Sequence, residues 1–386
     1  MMDRIYLCLA HMSGKEQQYI QEAFDTNWVV PLGPNVNAFE EDLAAFANRR
    51  EGAEPLQKKV VALSAGTAAI HLGLIMLGVE KGDEVICQSF TFAASANPVM
   101  YQGATPVFVD SEPGTYNMDP QLLEEAIKAR IAKTGKKPKA IISVYLYGMP
   151  ARIDEIMEVA RRYEIPVLED AAEGFGSRYK GQVCGTFGDY GVMSFNGNKM
   201  ITTSGGGALI CPDEEAKKRV MFYATQAREP FPYYQHEKIG YNYRMSNICA
   251  GIGRGQMTVA DEHIRHHQWV HEQYEKAFAN MDAITVHSAP EGYMKSNYWL
   301  STIRFEDSKH RIDGELLPLI QKLSDANIET RPLWKPMHLQ PVYKDAPAYT
   351  NGVSERLFSC GLCLPSGPYV KEAEIHYIVE RIKDFL

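Results

Sequence analysis

The chain has no stretch of about 18 consecutive apolar residues, so the sequence offers no helix to span a bilayer. Its opening run, Met1-Met-Asp-Arg-Ile-Tyr, lacks the long apolar segment of a signal peptide. It has no block of consecutive Lys or Arg, and its net charge is −8, which argues against a nucleic-acid-binding surface. Cysteine is sparse and odd in number, seven in all, at positions 8, 87, 184, 211, 249, 360 and 363. That pattern reads as reduced thiols in a cytoplasmic protein rather than a disulfide framework. Cys360-x-x-Cys363 has no second Cys-x-x-Cys and no suitably spaced Cys/His pair beside it, so it reads as a buried strand end rather than a zinc or redox site. There is no Walker A order, no internal repeat and no low-complexity linker. What is present is an ordinary globular composition over 386 residues, 45% hydrophobic and 23% charged. Such a chain can bury a large core without staples, in roughly two to three domains.

From about residue 59 strands and helices alternate. Lys59–Ser64, Glu84–Gln88, Thr105–Asp110, Lys139–Val144 and Ile165–Asp170 read as strands. Helical stretches from Gly66, Ala93, Asp119 and Ile153 separate them. This rhythm predicts a mostly parallel sheet covered on both faces. Tyr190–Ser194 and Gly207–Cys211 are expected as two more strands flanking a Gly- and Asn-rich loop. Two helices precede the sheet, around residues 17–24 and 37–49, and one long helix is predicted over Gln256–Ala279. The remainder reads as a smaller α+β module, which divides the chain into 1–262 and 263–386.

In open α/β sheets ligands bind beyond the carboxyl ends of the strands. Several chemical landmarks fall there. Ser64-Ala-Gly66-Thr67-Ala68 joins a strand to a helix, where free amides and a hydroxyl bind phosphate; a plain helix start is the alternative. Phe90 and Phe92 follow the next strand, and Phe92 is the choice to stack on a flat ring. Asp170 ends an apolar strand, and a buried carboxylate needs a partner. Lys199 lies 29 residues further on, between Ser194 and Asn198 on one side and Ser204-Gly-Gly-Gly on the other. A lysine that forms a Schiff base and an acid that keeps a pyridine nitrogen protonated are what pyridoxal phosphate (PLP) chemistry requires. His263, His266 and His267 read as a solvated helix face, whereas His338, in a Pro-flanked loop, is an active-site candidate.

These segments resemble the DegT/DnrJ/EryC1/StrS sugar aminotransferases, PLP enzymes of fold type I, over nearly the whole length. The motifs are Pro31-Leu-Gly-Pro, Ser64-Ala-Gly-Thr-Ala-Ala, Thr91-Phe, Gly103-Ala-Thr-Pro-Val-Phe-Val-Asp, Leu146-Tyr-Gly, Leu168-Glu-Asp-Ala-Ala, Ser194-Phe-Asn-Gly-Asn-Lys and Gly240-Tyr-Asn-Tyr-Arg-Met-Ser. The resemblance implies Lys199 as the Schiff-base lysine and Asp170 as the pyridine-nitrogen acid. It implies Gly66, Thr67, Ala68 and Ser194 around the phosphate and Phe92 on the ring. It implies Asn242 reaching the cofactor of a neighbouring subunit, hence a homodimer with shared active sites. Glu173 stands where the family usually has Gln, at the cofactor's phenolic oxygen; a carboxylate donates there only if protonated, so an altered pKa of the lysine–cofactor link is expected. Tyr145 stands where the family often has His, which leaves its substrate role open. Thr203-Ser-Gly-Gly-Gly replaces the common Thr-Gly-Glu-Gly-Gly. Some relatives carry His at the lysine position and are dehydratases; Lys199 favours transamination.

The segments Ser194–Ala208 and Glu329–Pro341 resemble most the branch acting at C4 of UDP-linked 4-keto-6-deoxy-N-acetylhexosamines. The expected reaction passes an amino group from L-glutamate to that ketone, with ping-pong kinetics and release of 2-oxoglutarate. The alternatives are amination at C3 or of a dTDP- or GDP-linked sugar, and a non-catalytic regulator of the same fold. No DNA-binding helix-turn-helix or basic surface supports the last.

Overall fold

The computed structural model describes residues 3–386; Met1 and Met2, the first positions of the expected 1–262 unit, lie outside the described residues. Its centre is an eight-stranded sheet. The strands lie in the order Lys59–Leu63, Gly207–Cys211, Tyr190–Ser194, Val167–Asp170, Ala140–Val144, Glu84–Gln88, Thr105–Val109 and Ala348–Tyr349. Five of the seven pairings are parallel. The two antiparallel ones both involve Gly207–Cys211. The inner strands are buried along nearly their whole length, because helices cover both faces and leave no side for polar residues. This is the fold type I architecture expected above.

A second, antiparallel sheet orders Ile284–Val286, Ser301–Phe305, Gly361–Leu364 and Arg331–Pro332. It packs with the helices Ala260–Phe278, Leu316–Asp325 and Glu372–Phe385 around a core that includes Val270, Phe305, Leu362 and Ile378. The division at 262/263 is not a clean spatial cut. The helix Ala260–Phe278 runs through it, Ala348–Tyr349 extends the large sheet, and Ile5 bridges to Ile328.

The segment expected as one helix over Gln256–Ala279 is two, Asn247–Met257 and Ala260–Phe278, broken at Thr258–Val259. The first was obscured by its glycines. They permit close packing: a Cβ on Gly253 would lie 2.6 Å from the Phe39 ring. Its start is marked by Ser246, whose hydroxyl accepts from the Cys249 amide at 3.2 Å. Glu214–Ala224, capped by Asp213, and Val353–Cys360 are further helices beyond those expected from sequence.

The histidine reading needs correction. His263 and His267 are buried under the helix Ala260–Phe278, against the carbonyls of Met200 and Tyr298 respectively. Burial holds His267 far down, at about 3, so it is a neutral packing group. Among the described residues no cluster of three His, Cys, Asp or Glu could hold a metal, and the seven cysteines are free thiols.

Candidate active site

A cavity of about 320 Å³ opens at the carboxyl end of the central strands. Its geometry follows from strand alternation. Val144 and Asp170 are register partners and line it together, while Ser143 and Glu169 point to the opposite face. Asp170 is 4% exposed. Its Oδ2 accepts from Ser95 Oγ at 2.6 Å and its Oδ1 from the Ala172 amide at 3.1 Å. Both donors are neutral. Burial therefore pushes the carboxyl's pKa up despite them, and despite the more distant charge of Lys199.

On the adjoining wall the helix Gly66–Met76 begins at Ala65 with no side-chain cap, so its first amides have no partner within the helix. Gly66, Thr67 and Ser194 line the cavity here, and Ala68 lies behind them in the first turn. A Cβ on Gly66 would lie 3.0 Å from Ser194 Cβ and 3.2 Å from its Oγ, so glycine lets the helix start meet the serine. Open amides at the positive end of an 11-residue helix, with two hydroxyls beside them, form an anion cradle.

Lys199 hangs in the loop between Tyr190–Ser194 and Gly207–Cys211. That loop is closed by Phe195 N donating to Gly206 O at 2.9 Å and Thr203 N to Phe195 O at 3.0 Å. The lysine Nζ lies 3.4 Å from Glu173 Oε1 and 4.1 Å from the Trp299 ring centroid. Glu173 also accepts from the Tyr147 amide at 2.7 Å. Burial raises its pKa, and the Lys199 charge works against that. Trp299 is fixed by its indole N–H donating to Asn198 O at 2.6 Å. Phe92, 61% exposed, stands at the mouth, whereas Phe90 is in the core.

Two expected substrate contacts are elsewhere. Tyr145 follows the same alternation as Ser143, so its fully buried hydroxyl turns to the far face and bonds Glu169. His338 is tied away from the cavity, with Nδ1 2.6 Å from Ser89 Oγ and Nε2 3.2 Å from Glu355. Asn242 lies outside this cavity, in a separate cleft with Trp28, Leu32 and Arg244. Conversely Ser95, Trp299 and Trp334, which line the cavity, were not singled out from sequence. Ser95 sits in a short apolar stretch and Trp299 at a strand entrance, and neither setting distinguishes them from core residues.

The profile of the DegT/DnrJ/EryC1/StrS aminotransferase family matches residues 10–383. The chain belongs to that family. A protein of Bacillus subtilis (strain 168) named as a pyridoxal phosphate-dependent aminotransferase, EpsN, is 48% identical over 385 residues, covering 98% of this chain and 95% of its own. GDP-perosamine synthase of Escherichia coli O157:H7 is 36% identical, covering 97% and 96%. Among solved structures, a DegT DnrJ EryC1 StrS aminotransferase from Brucella abortus superposes with a TM-score of 0.86 at 30% identity, over 96% of this chain and 95% of that one. This DegT-family member is a sugar aminotransferase, and its cofactor is pyridoxal phosphate. The residues fit that group. A buried carboxylate without a close cation would suit a ring N–H, an uncapped helix start would suit a phosphate, and a lysine amine lies in the same cavity as both.

Proposed function

We propose that the chain transfers the amino group of L-glutamate to the C4 ketone of a nucleotide-linked 4-keto-6-deoxy-N-acetylhexosamine, with UDP as the carrier, yielding a 4-amino sugar for polysaccharide assembly. The observation that carries this reading is one cavity holding Lys199, Asp170 and the Gly66–Ala68 cradle together. Bound pyridoxal phosphate supplies an aldehyde that accepts and passes on the amino group, and a ring that withdraws electrons. The protein does the rest. The amides of Gly66, Thr67 and Ala68, with the Thr67 and Ser194 hydroxyls, hold the phosphate. Asp170 would keep the proton on the pyridine nitrogen, Phe92 would lie against the ring, and Glu173 would meet the phenolic oxygen. Lys199 would hold the aldehyde carbon and, once the donor's amine takes its place there, would be the free amine that takes the proton from the donor's Cα. Trp299 and Trp334 wall off water beside that nitrogen.

A homodimer with shared sites belongs to the same proposal. Trp28, Val30, Leu32, Tyr234 and Ile239 are exposed apolar side chains, and Asn242 shares a cleft with the first and third of them. A second copy covering this surface would bring Asn242 to the neighbour's cofactor. A two-unit organisation divided near residue 262, with the helix Ala260–Phe278 and the strand Ala348–Tyr349 crossing between the units, and a cytoplasmic location complete the reading. No helix among the described residues is long and apolar enough to cross a membrane.

The name of the 36%-identical relative favours a second reading, in which the carrier is GDP. Incubating the holoenzyme with glutamate and a panel of UDP-, GDP- and dTDP-linked keto sugars, with product NMR, separates these. Amination of a UDP-linked 4-ketone supports the first reading. Exclusive use of a 3-ketone or of another carrier rejects it, and full activity of Lys199→Ala rejects catalysis at this cavity.

A further inference from the structure

A second cavity, of about 360 Å³, shares no lining residue with the one around Lys199. It lies where the strand Ser301–Phe305 ends, between the helix Val353–Cys360 and Pro113. Three arginines line it, Arg304, Arg311 and Arg356, against one carboxylate, Glu306. The chain as a whole carries −8, so this concentration of positive charge is local.

The three guanidinium groups are held differently. Arg304 Nε donates to Glu306 Oε1 at 2.6 Å, and that carboxylate also accepts from the Thr285 hydroxyl. Arg311 Nη1 donates to the Phe305 carbonyl at 2.9 Å. Arg356 makes no side-chain hydrogen bond or ion pair with any described residue, so its planar fork is free. An arginine has five N–H donors; Arg304 also meets the Tyr116 hydroxyl and Arg311 the Cys360 thiol, which still leaves donors free on both. The other polar lining groups, the Ser359 hydroxyl and Cys360 thiol, can donate as well. Glu306 and the carbonyl end of the helix Val353–Cys360 are the counter-charges, and together they balance less than three cations.

We propose that this cavity binds the phosphate group of a small anionic molecule, at a site separate from the cofactor and substrate cavity. Arginine forks match phosphate oxygens bidentately, and two of the three are already fixed in place. A positively lined cleft with low-dielectric walls also draws anions from solution. The volume admits inorganic phosphate or a phosphomonoester of a few carbons.

The test uses holoenzyme saturated with pyridoxal phosphate, so that the cradle at Gly66 is filled. Inorganic phosphate and glycerol 3-phosphate are titrated separately by calorimetry into the wild type and into the double variant Arg311→Ala/Arg356→Ala. Arg356→Glu, a charge reversal at an exposed position that leaves the core untouched, is run beside them. The expected result is saturable binding by the wild type with a dissociation constant of about 1 mM or tighter. Loss of two arginine contacts in the double variant, and replacement of one by a repelling carboxylate in Arg356→Glu, each weaken it at least about tenfold. Tighter binding of the ester identifies a metabolite as the ligand, and equal binding identifies free phosphate; either supports the site. Unchanged affinity in both variants, or no saturable binding of either probe by the wild type, overturns it.

Discussion

Replacing Asp170 by Asn should shift the stability of the empty and the loaded protein in opposite directions. The substitution keeps the shape and removes one negative charge. In the empty protein that carboxylate is buried and held only by two neutral donors, Ser95 and Ala172. An amide oxygen can keep the Ala172 bond. The Ser95 hydroxyl, already 2.7 Å from Thr91 Oγ1, can reorient toward the new partner. Removing an under-paired buried charge should therefore stabilise the empty fold by about 1–3 kcal/mol. In the loaded protein the same change loses a charge-assisted bond to the ring nitrogen, about 1.5–3 kcal/mol, and cofactor affinity falls by the sum of the two effects, about 2.5–6 kcal/mol, or roughly 70-fold and more. Unfolding entropy scales with length, so each kcal/mol moves the midpoint of a chain this long by about 1 °C. Calorimetric melting of both forms is the assay, with cofactor affinity read from quenching of Trp299 and Trp334, which line the cavity.

The pH dependence has a definite sign. The folded pKa of Asp170 lies above its ordinary value of 3.8, so the empty folded state binds more protons than the unfolded chain in between. Stability is lost as pH rises through that window. The advantage of Asn over Asp should be full above it and vanish below 3.8. An empty Asn variant that melts below the wild type at neutral pH, or a loaded one of undiminished cofactor affinity, would refute the reasoning.

Three other outcomes are expected. Glu173→Gln removes a carboxylate 3.4 Å from Lys199 Nζ, so the absorbance titration of the loaded enzyme should move to lower pH; superimposable titrations would dismiss a role for its charge. Trp299→Leu deletes the aromatic face under Lys199, worth about 1–2 kcal/mol, so kcat should fall about tenfold with donor KM little changed, and Trp299→Phe should recover most of it. Tyr145→Phe should leave kcat intact while costing about 1–3 kcal/mol of stability, because Glu169 keeps its bonds from Gly185 and Gly188 but loses the phenol; a selective loss of kcat would return Tyr145 to the site.

The βα rhythm was legible because each inner strand is a continuous apolar run of nearly the observed length. Glu84–Gln88, Tyr190–Ser194 and Gly207–Cys211 fall where expected. Lys199, Asp170, Gly66, Thr67, Ser194 and Glu173 converge because ligand-facing residues of an open parallel sheet gather at one end of its strands. Tyr145 was misplaced although the signal was present. Counting alternation from Asp170 across to Val144 puts Tyr145 on the other face. His338 could not have been placed that way, since its partners Ser89 and Glu355 lie 249 and 17 residues away. The tryptophans were illegible for a related reason. Only the folded chain brings Trp299 and Trp334 beside a lysine at least 100 residues earlier in sequence.

The lysine loop is sealed by its own backbone bonds, and the acid stands on the neighbouring strand, so the reacting centre is built within residues 64–207. The tryptophan walls come from the C-terminal third. The lysine, its acid and the anion cradle are thus encoded on one stretch of the gene and the aromatic wall on another. Exchange of the stretch after residue 280 between relatives keeps Lys199, Asp170 and the Gly66 cradle but replaces the aromatic wall that faces them, so its effect should be read in kcat as well as in acceptor choice.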